Sequence, residues 1–118
     1  MIRATFIVFS LIFLAGCTTT APSQSFRPEN YKGPAMNIGG SVNYAEGFNG
    51  TLYIAIDGNT IIQSKLPMNA NNTQHFGNYK EHRIMAQFMQ GSQYGIIQAS
   101  ANVFVDGELA ATLTFPPI

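Results

Sequence analysis

From Ala35 onward apolar and polar residues alternate with a period of two, the spacing at which an extended strand sends successive side chains to opposite faces. Thr51–Ile56 (TLYIAI) places Leu52, Ile54 and Ile56 on one face. Glu108–Phe115 (ELAATLTF) directs Leu109, Ala111, Leu113 and Phe115 inward and Ala110, Thr112 and Thr114 outward. Arg83–Met89 aligns Ile84, Ala86 and Phe88, while Ala101–Val105 aligns Ala101, Val103 and Val105 against Asn102 and Phe104. No stretch carries a sustained apolar stripe at helical spacing. Gly95–Ala101 (GIIQASA) is the one segment that a turn of helix would fit, and strand fits it better.

Two dipeptides set the pairing. Asp57-Gly58 and Asp106-Gly107 each stand between alternating runs, where Asp tolerates positive φ and Gly has no Cβ to resist it. Asn49-Gly50, Asn71-Asn72 and Gly91-Ser92 mark further reversals, and a turn is expected around Gly77-Asn78. The runs LYIAIDGNTIIQSKLP and ANVFVDGELAATLTFP share strand, Asp-Gly, strand and closing proline at the same offsets. Shared turn chemistry is a simpler reading of that likeness than an internal duplication. About seven short strands predict an all-β domain, a small antiparallel β-sandwich or barrel, over residues 34–118.

Ahead of this domain the pattern changes twice. Thr18 to Lys32 (TTTAPSQSFRPENYK) mixes Pro22 and Pro28 with small polar residues and has no period, so 17–33 reads as a flexible tether. An irregular strand packed through Phe26 and Tyr31 is the alternative. Residues 1–16 carry a cation at Arg3 and an apolar run from Phe6 to Leu14, the layout of a cleaved secretory signal. The run is too short for a membrane span, which needs about 20 apolar residues. It ends in Leu14-Ala15-Gly16-Cys17, which resembles the lipobox of bacterial lipoproteins. The resemblance implies that Leu14, Ala15 and Gly16 are read by the lipoprotein signal peptidase. It further implies that Cys17 becomes the first mature residue, carrying diacylglycerol and an N-acyl chain. With Thr18 rather than Asp at the next position, it implies sorting to the outer membrane, facing the periplasm or the cell surface.

Composition narrows the partners. The chain beyond residue 16 is long enough for one small domain. It holds the cations Arg27, Lys32, Lys65, Lys80 and Arg83, set against the anions Glu29, Glu46, Asp57, Glu81, Asp106 and Glu108. No basic patch is present, so nucleic acid is not an expected partner. Cys17 is the only cysteine, so no disulfide can form within the chain.

Candidate chemistry is sparse. His75 and His82 would have to meet across a hairpin and recruit Glu81 to hold a metal, and surface histidines at strand ends are the simpler reading. No serine lies in a G-x-S-x-G elbow, and Gly39-Gly40 lacks the rest of a phosphate loop. Asp57 and Asp106 would form a carboxylate pair only if the two hairpin tips were juxtaposed. No catalytic residue, metal ligand or cofactor is therefore expected beyond the lipid on Cys17. Tyr53 and Tyr94 stand out as candidate partner-binding aromatics, since tyrosine brings contact area at low entropic cost. With few charges, the domain has little to guard its edge strands. Lys65 and Pro67 guard one and Pro116-Pro117 ends the last, leaving partner-strand addition as an option.

The expected function is a non-enzymatic binding or scaffolding role for a membrane-anchored envelope lipoprotein with an envelope protein as partner. The alternative is an inhibitory or exclusion lipoprotein, either like the lysozyme inhibitors or a phage block to superinfection. The former resemblance rests on size, signal and the Tyr53…Asp57-Gly58 turn, but the tryptophan and spare cysteine of those inhibitors are missing.

Overall fold

The computed structural model describes residues 18–29, 32–44, 50–67, 72–93 and 96–117. Its elements in chain order are β1 (Thr18–Phe26), β2 (Met36–Asn43), β3 (Thr51–Ile56), β4 (Asn59–Lys65), β5 (Asn72–Tyr79), β6 (His82–Gln93), β7 (Ile96–Val105) and β8 (Glu108–Phe115). Two four-stranded antiparallel meanders result, β1-β2-β3-β4 and β5-β6-β7-β8, stacked as a sandwich. The alternation read from the sequence supplies the core: Leu52, Ile54 and Ile56 from β3, Ile84, Ala86 and Phe88 from β6, and Ala101, Val103 and Val105 from β7 are all essentially inaccessible. Phe88 and Phe115 meet at 6.3 Å between ring centroids. Gly40 on β2 leaves room for Leu113 of the facing sheet, since a Cβ there would stand 2.9 Å from Leu113 Cδ1.

The eighth strand is the segment expected to be a tether. Thr18–Phe26 pairs along β2 from Thr18↔Asn43 to Phe26↔Met36. Thr19 and Ala21 face inward and are 6% and 4% exposed. Pro22, which suggested a linker, sits where the register shifts between Ala21 and Gln24, so its missing N–H interrupts no ladder bond. Burial of the alternate residues Thr19 and Ala21 thus outweighs a linker-like composition.

The same device corrects the reading of Leu109. In β7–β8 the register shifts between Val103 and Phe104, with Phe104 opposite Leu109 and Val103 opposite Ala111. The extra residue resets the alternation, so Ala111, Leu113 and Phe115 are buried while Leu109 is 53% exposed. β3–β4 repeats the arrangement, with Ala55 opposite Thr60 and Ile54 opposite Ile62. Asp57, Gly58, Asp106 and Gly107 all have positive φ, between 51° and 84°, as their turns require.

Two expected reversals lie inside strands instead. Gly91 and Ser92 belong to β6, and Gly77 and Asn78 belong to β5, whose hairpin turns at Lys80-Glu81 with Lys80 at φ 53°. Gly77 has a different task. A Cβ there would lie 2.8 Å from both Cγ2 and the carbonyl oxygen of Ile61, so its absence lets β5 close against β4. On the opposite side β1 runs beside β8, and the Gln24 side-chain amide stands in for a peptide group. Its Nε2 donates to the Thr112 carbonyl at 2.6 Å, and the Thr112 N–H donates to Oε1 at 3.1 Å. The outer strands of the two sheets therefore lie beside each other in pairs, β1 with β8 and β4 with β5, each remaining the edge of its own sheet.

Candidate functional site

Antiparallel order sends both Asp-Gly tips to one end of the sandwich, together with the β5–β6 turn. The opposite end carries Thr18, Asn43, Thr51 and Lys65 in one sheet and Phe115 in the other. At the Asp-Gly end each aspartate is held the same way. The N–H of Asn37 donates to Asp57 Oδ1 at 2.9 Å, while the N–H of Asp57 donates to the Asn37 carbonyl at 2.9 Å. Asp106 and Arg83 exchange the same two bonds at 2.8 Å each.

The second carboxylate oxygens reach to the β5–β6 hairpin. The Tyr79 hydroxyl donates to Asp57 Oδ2 at 2.8 Å, joining one sheet to the other. His82 Nδ1 lies 2.7 Å from Asp106 Oδ2, an ion pair whenever the ring is protonated. Because Tyr79 and His82 are direct cross-strand partners, the order Asp57–Tyr79–His82–Asp106 runs across the whole end. Lys80 Nζ stands 5.3 Å from the Tyr79 ring centroid and adds a cation–π contact.

The electrostatics follow from these bonds. The Asn37 amide and then the Tyr79 hydroxyl hold the Asp57 carboxyl below the ordinary range, with Lys80 adding to them. The His82 ring and then the Arg83 amide do the same for Asp106. The bond to Asp57, then burial, raises the Tyr79 hydroxyl. A carboxyl acting as general acid at neutral pH needs a shift in the other direction. Both aspartates are anions held in place, suited to fixing two turns and locking the sheets together.

The histidines are not equivalent. His75 faces inward on β5, is 8% exposed, and shares a 2.8 Å hydrogen bond between Nε2 and Thr73 Oγ1. Burial lowers its pKa. This corrects the expectation that both histidines are surface residues. His75 is opposite Ala86 and His82 is opposite Tyr79, so four residue steps, about 13 Å of strand, separate them. Glu81 lies in the turn rather than on a strand. Among the described residues no group of three His, Cys, Asp or Glu side chains is placed to share a metal ion.

Of the residues singled out from sequence, Leu14, Ala15, Gly16, Cys17 and Tyr94 lie outside the described residues. Tyr53 is half-buried on the outer face of β3, opposite Ser41 of β2 and Gln63 of β4. It lines a shallow groove with Thr18, Thr20, Gly39, Ser41 and Thr60. Asp57, on which the likeness to the inhibitors leaned, is engaged by Asn37 and Tyr79. The bridging roles of Tyr79 and Gln24 had no signal in the sequence beyond an aromatic and an amide at strand positions.

Charge is distributed unevenly along the sandwich. The carboxylates Glu29, Asp57, Glu81, Asp106 and Glu108 all lie in or beside the connections at the Asp-Gly end, where the Glu29 N–H also approaches Glu108 Oε2 at 3.4 Å. Arg27, Lys32, Lys80 and Arg83 share that end, and Lys65 is the one charged residue described at the other. Glu46 lies outside the described residues. An open groove of about 870 Å³ occupies the end opposite the Asp-Gly tips, lined in part by Pro22, Met89, Phe115, Pro116 and Pro117. No protein-family model, no curated protein and no solved structure matches this chain.

Proposed function

We propose that this chain is a bacterial envelope lipoprotein, anchored in the outer membrane through acylated Cys17, whose β-sandwich serves a non-enzymatic binding or scaffolding role. The observation that carries the reading is Leu14-Ala15-Gly16-Cys17 closing a short apolar segment with a basic start. Two or three acyl chains, each contributing about 0.8 kcal/mol per buried methylene, suffice for stable anchoring where a single chain does not. The sandwich lends support of a different kind. Its titratable groups at the Asp-Gly end hold one another, and its exposed charges there offer a surface for a protein partner.

Metabolic labelling with a palmitate analogue tests the anchor. The wild-type chain takes up label and fractionates with the outer membrane, while Cys17→Ser loses both. An unlabelled wild-type chain would sink the proposal. Photo-crosslinking from position 53 in intact envelopes tests the binding role, since an accessory yields one dominant protein adduct. A domain that keeps its biological effect when released in soluble form would fit the inhibitory class instead.

A further inference from the structure

We infer that the Thr18 end of the sandwich is a membrane-facing surface, lying against the lipid headgroups with the Asp57/Asp106 end turned away. The inference rests on the lipid anchor proposed above and names the surface it serves. Two independent observations carry it.

The first is the absence of slack. Thr18 is already in the β1 ladder opposite Asn43, and the buried Thr19 donates its hydroxyl to the Pro116 carbonyl at 2.6 Å. Adjacent Cα atoms are about 3.8 Å apart, so covalent geometry alone keeps a lipid-bearing Cys17 within one residue of the folded domain. A tether of some fifteen free residues would have reached about 50 Å and left orientation undetermined. Here the strand that begins the fold also begins at the anchor.

The second observation is the segregation of charge. A carboxylate brought to an anionic membrane surface is repelled, and any charge pressed toward hydrocarbon is desolvated at a cost. Five carboxylates, Glu29, Asp57, Glu81, Asp106 and Glu108, lie at the Asp-Gly end, and the exception is Glu46, in the connection that joins Asn43 to Thr51 at the Thr18 end. The Thr18 end presents a groove whose lining, among the described residues, has no charged side chain and includes Met89, Phe115, Pro116 and Pro117. Its one described charge, Lys65, has the sign that anionic lipids attract. An end with one lysine and one carboxylate, against nine charged residues at the other, suits the side that carries the anchor. It also leaves the Asp57–Tyr79–His82–Asp106 row facing outward, where a partner would meet it.

The test uses the full chain, processed in bacteria, purified and placed in vesicles of phosphatidylethanolamine and phosphatidylglycerol. Thioether linkage leaves no free thiol, so single cysteines can be introduced at exposed positions: Pro67→Cys and Gln98→Cys near Thr18, Asn59→Cys and Glu81→Cys at the far end. Along β4 alone the two ends differ by about 20 Å. Each cysteine is labelled with a fluorophore, and quenching by nitroxide-headgroup lipid is compared. Quenching at positions 67 and 98 is expected to exceed that at 59 and 81 several-fold. Equal quenching at both ends, or the reverse order, overturns the orientation. Intact mass spectrometry of the same sample reads the acyl chains on Cys17. Acylated protein without the quenching difference refutes the orientation alone, whereas absence of acyl mass refutes the anchor on which it rests.

Discussion

Gly77→Ala is the substitution that best probes how the two sheets close on one another. A methyl at this position would stand 2.8 Å from the Ile61 carbonyl oxygen, 2.8 Å from Ile61 Cγ2 and 3.0 Å from Ile62 Cγ1. The carbonyl is the decisive neighbour, because Ile61, though itself the bulged residue, is flanked by the pairs Ala55–Thr60 and Ile54–Ile62 and its backbone cannot swing aside as a side-chain end can. With room available, alanine in place of glycine would stabilise by about 0.4–1 kcal/mol, through a narrower unfolded ensemble. Forcing an extra methyl into a packed site costs about 1–3 kcal/mol. The expected net loss at Gly77 is about 1–2 kcal/mol. Gly91→Ala is the matched control, since nothing lies within 4 Å of its added Cβ, and it should be neutral or slightly stabilising. Urea unfolding of the chain from residue 18 onward reads both. At a slope of about 1–2 kcal/mol per molar, Gly77→Ala should lower the midpoint by about 1 M with the slope unchanged. Adding Ile61→Ala removes Cγ2 but leaves the carbonyl, so it should relieve only part of the overlap. A Gly77→Ala midpoint at or above that of Gly91→Ala would refute the close approach of β4 and β5.

Three further outcomes are expected from the polar groups. Asp57 and Asp106 bind protons more weakly folded than unfolded, so between their folded values and about 3.9 the unfolded chain holds more protons. Their contribution is full above that window and is lost as pH falls through the folded values. Asp57→Asn and Asp106→Asn, which still tolerate positive φ, should flatten the acid limb of a stability–pH curve, and an unchanged limb would contradict the bonding described. Burial lowers His75, so the unfolded chain takes up its proton first as pH drops below about 6.5. Wild-type stability should fall across that range while His75→Gln stays level, and parallel curves would argue against a buried ring. Thr51 Oγ1 is buried with no partner among the described residues. Thr51→Val should therefore gain about 1 kcal/mol in thermal or urea unfolding, and a loss of similar size would reveal a hydrogen bond to that hydroxyl.

The membrane reading turns on a few residues whose meaning changed once the chain was folded. Leu14-Ala15-Gly16-Cys17 speaks through its order alone and needs no tertiary contact to be read. Thr19, Ala21 and Pro22 look like linker by composition, and only pairing with β2 turns them into a strand. On the anchor proposed above, that difference would give the domain a defined face toward the bilayer.

Local chemistry determined a great deal here. Period-two alternation fixed the strands and inner faces of β3, β6 and β7, because a side chain's face depends only on its own backbone and its neighbours'. Asp-Gly fixed two turns, because positive φ is a property of those residues wherever they stand. Register was decided elsewhere: the bulges opposite Ala55 and Phe104 depend on a partner strand, so Leu109 passed for a core residue until β7 was laid beside it. Gly77 read as a turn because its reason for being glycine is Ile61, some sixteen positions earlier in sequence and in contact only after folding. The row Asp57–Tyr79–His82–Asp106 was illegible for the same cause. Its members come from three separate connections, and only the stacking of two meanders in the same direction brings them to one end.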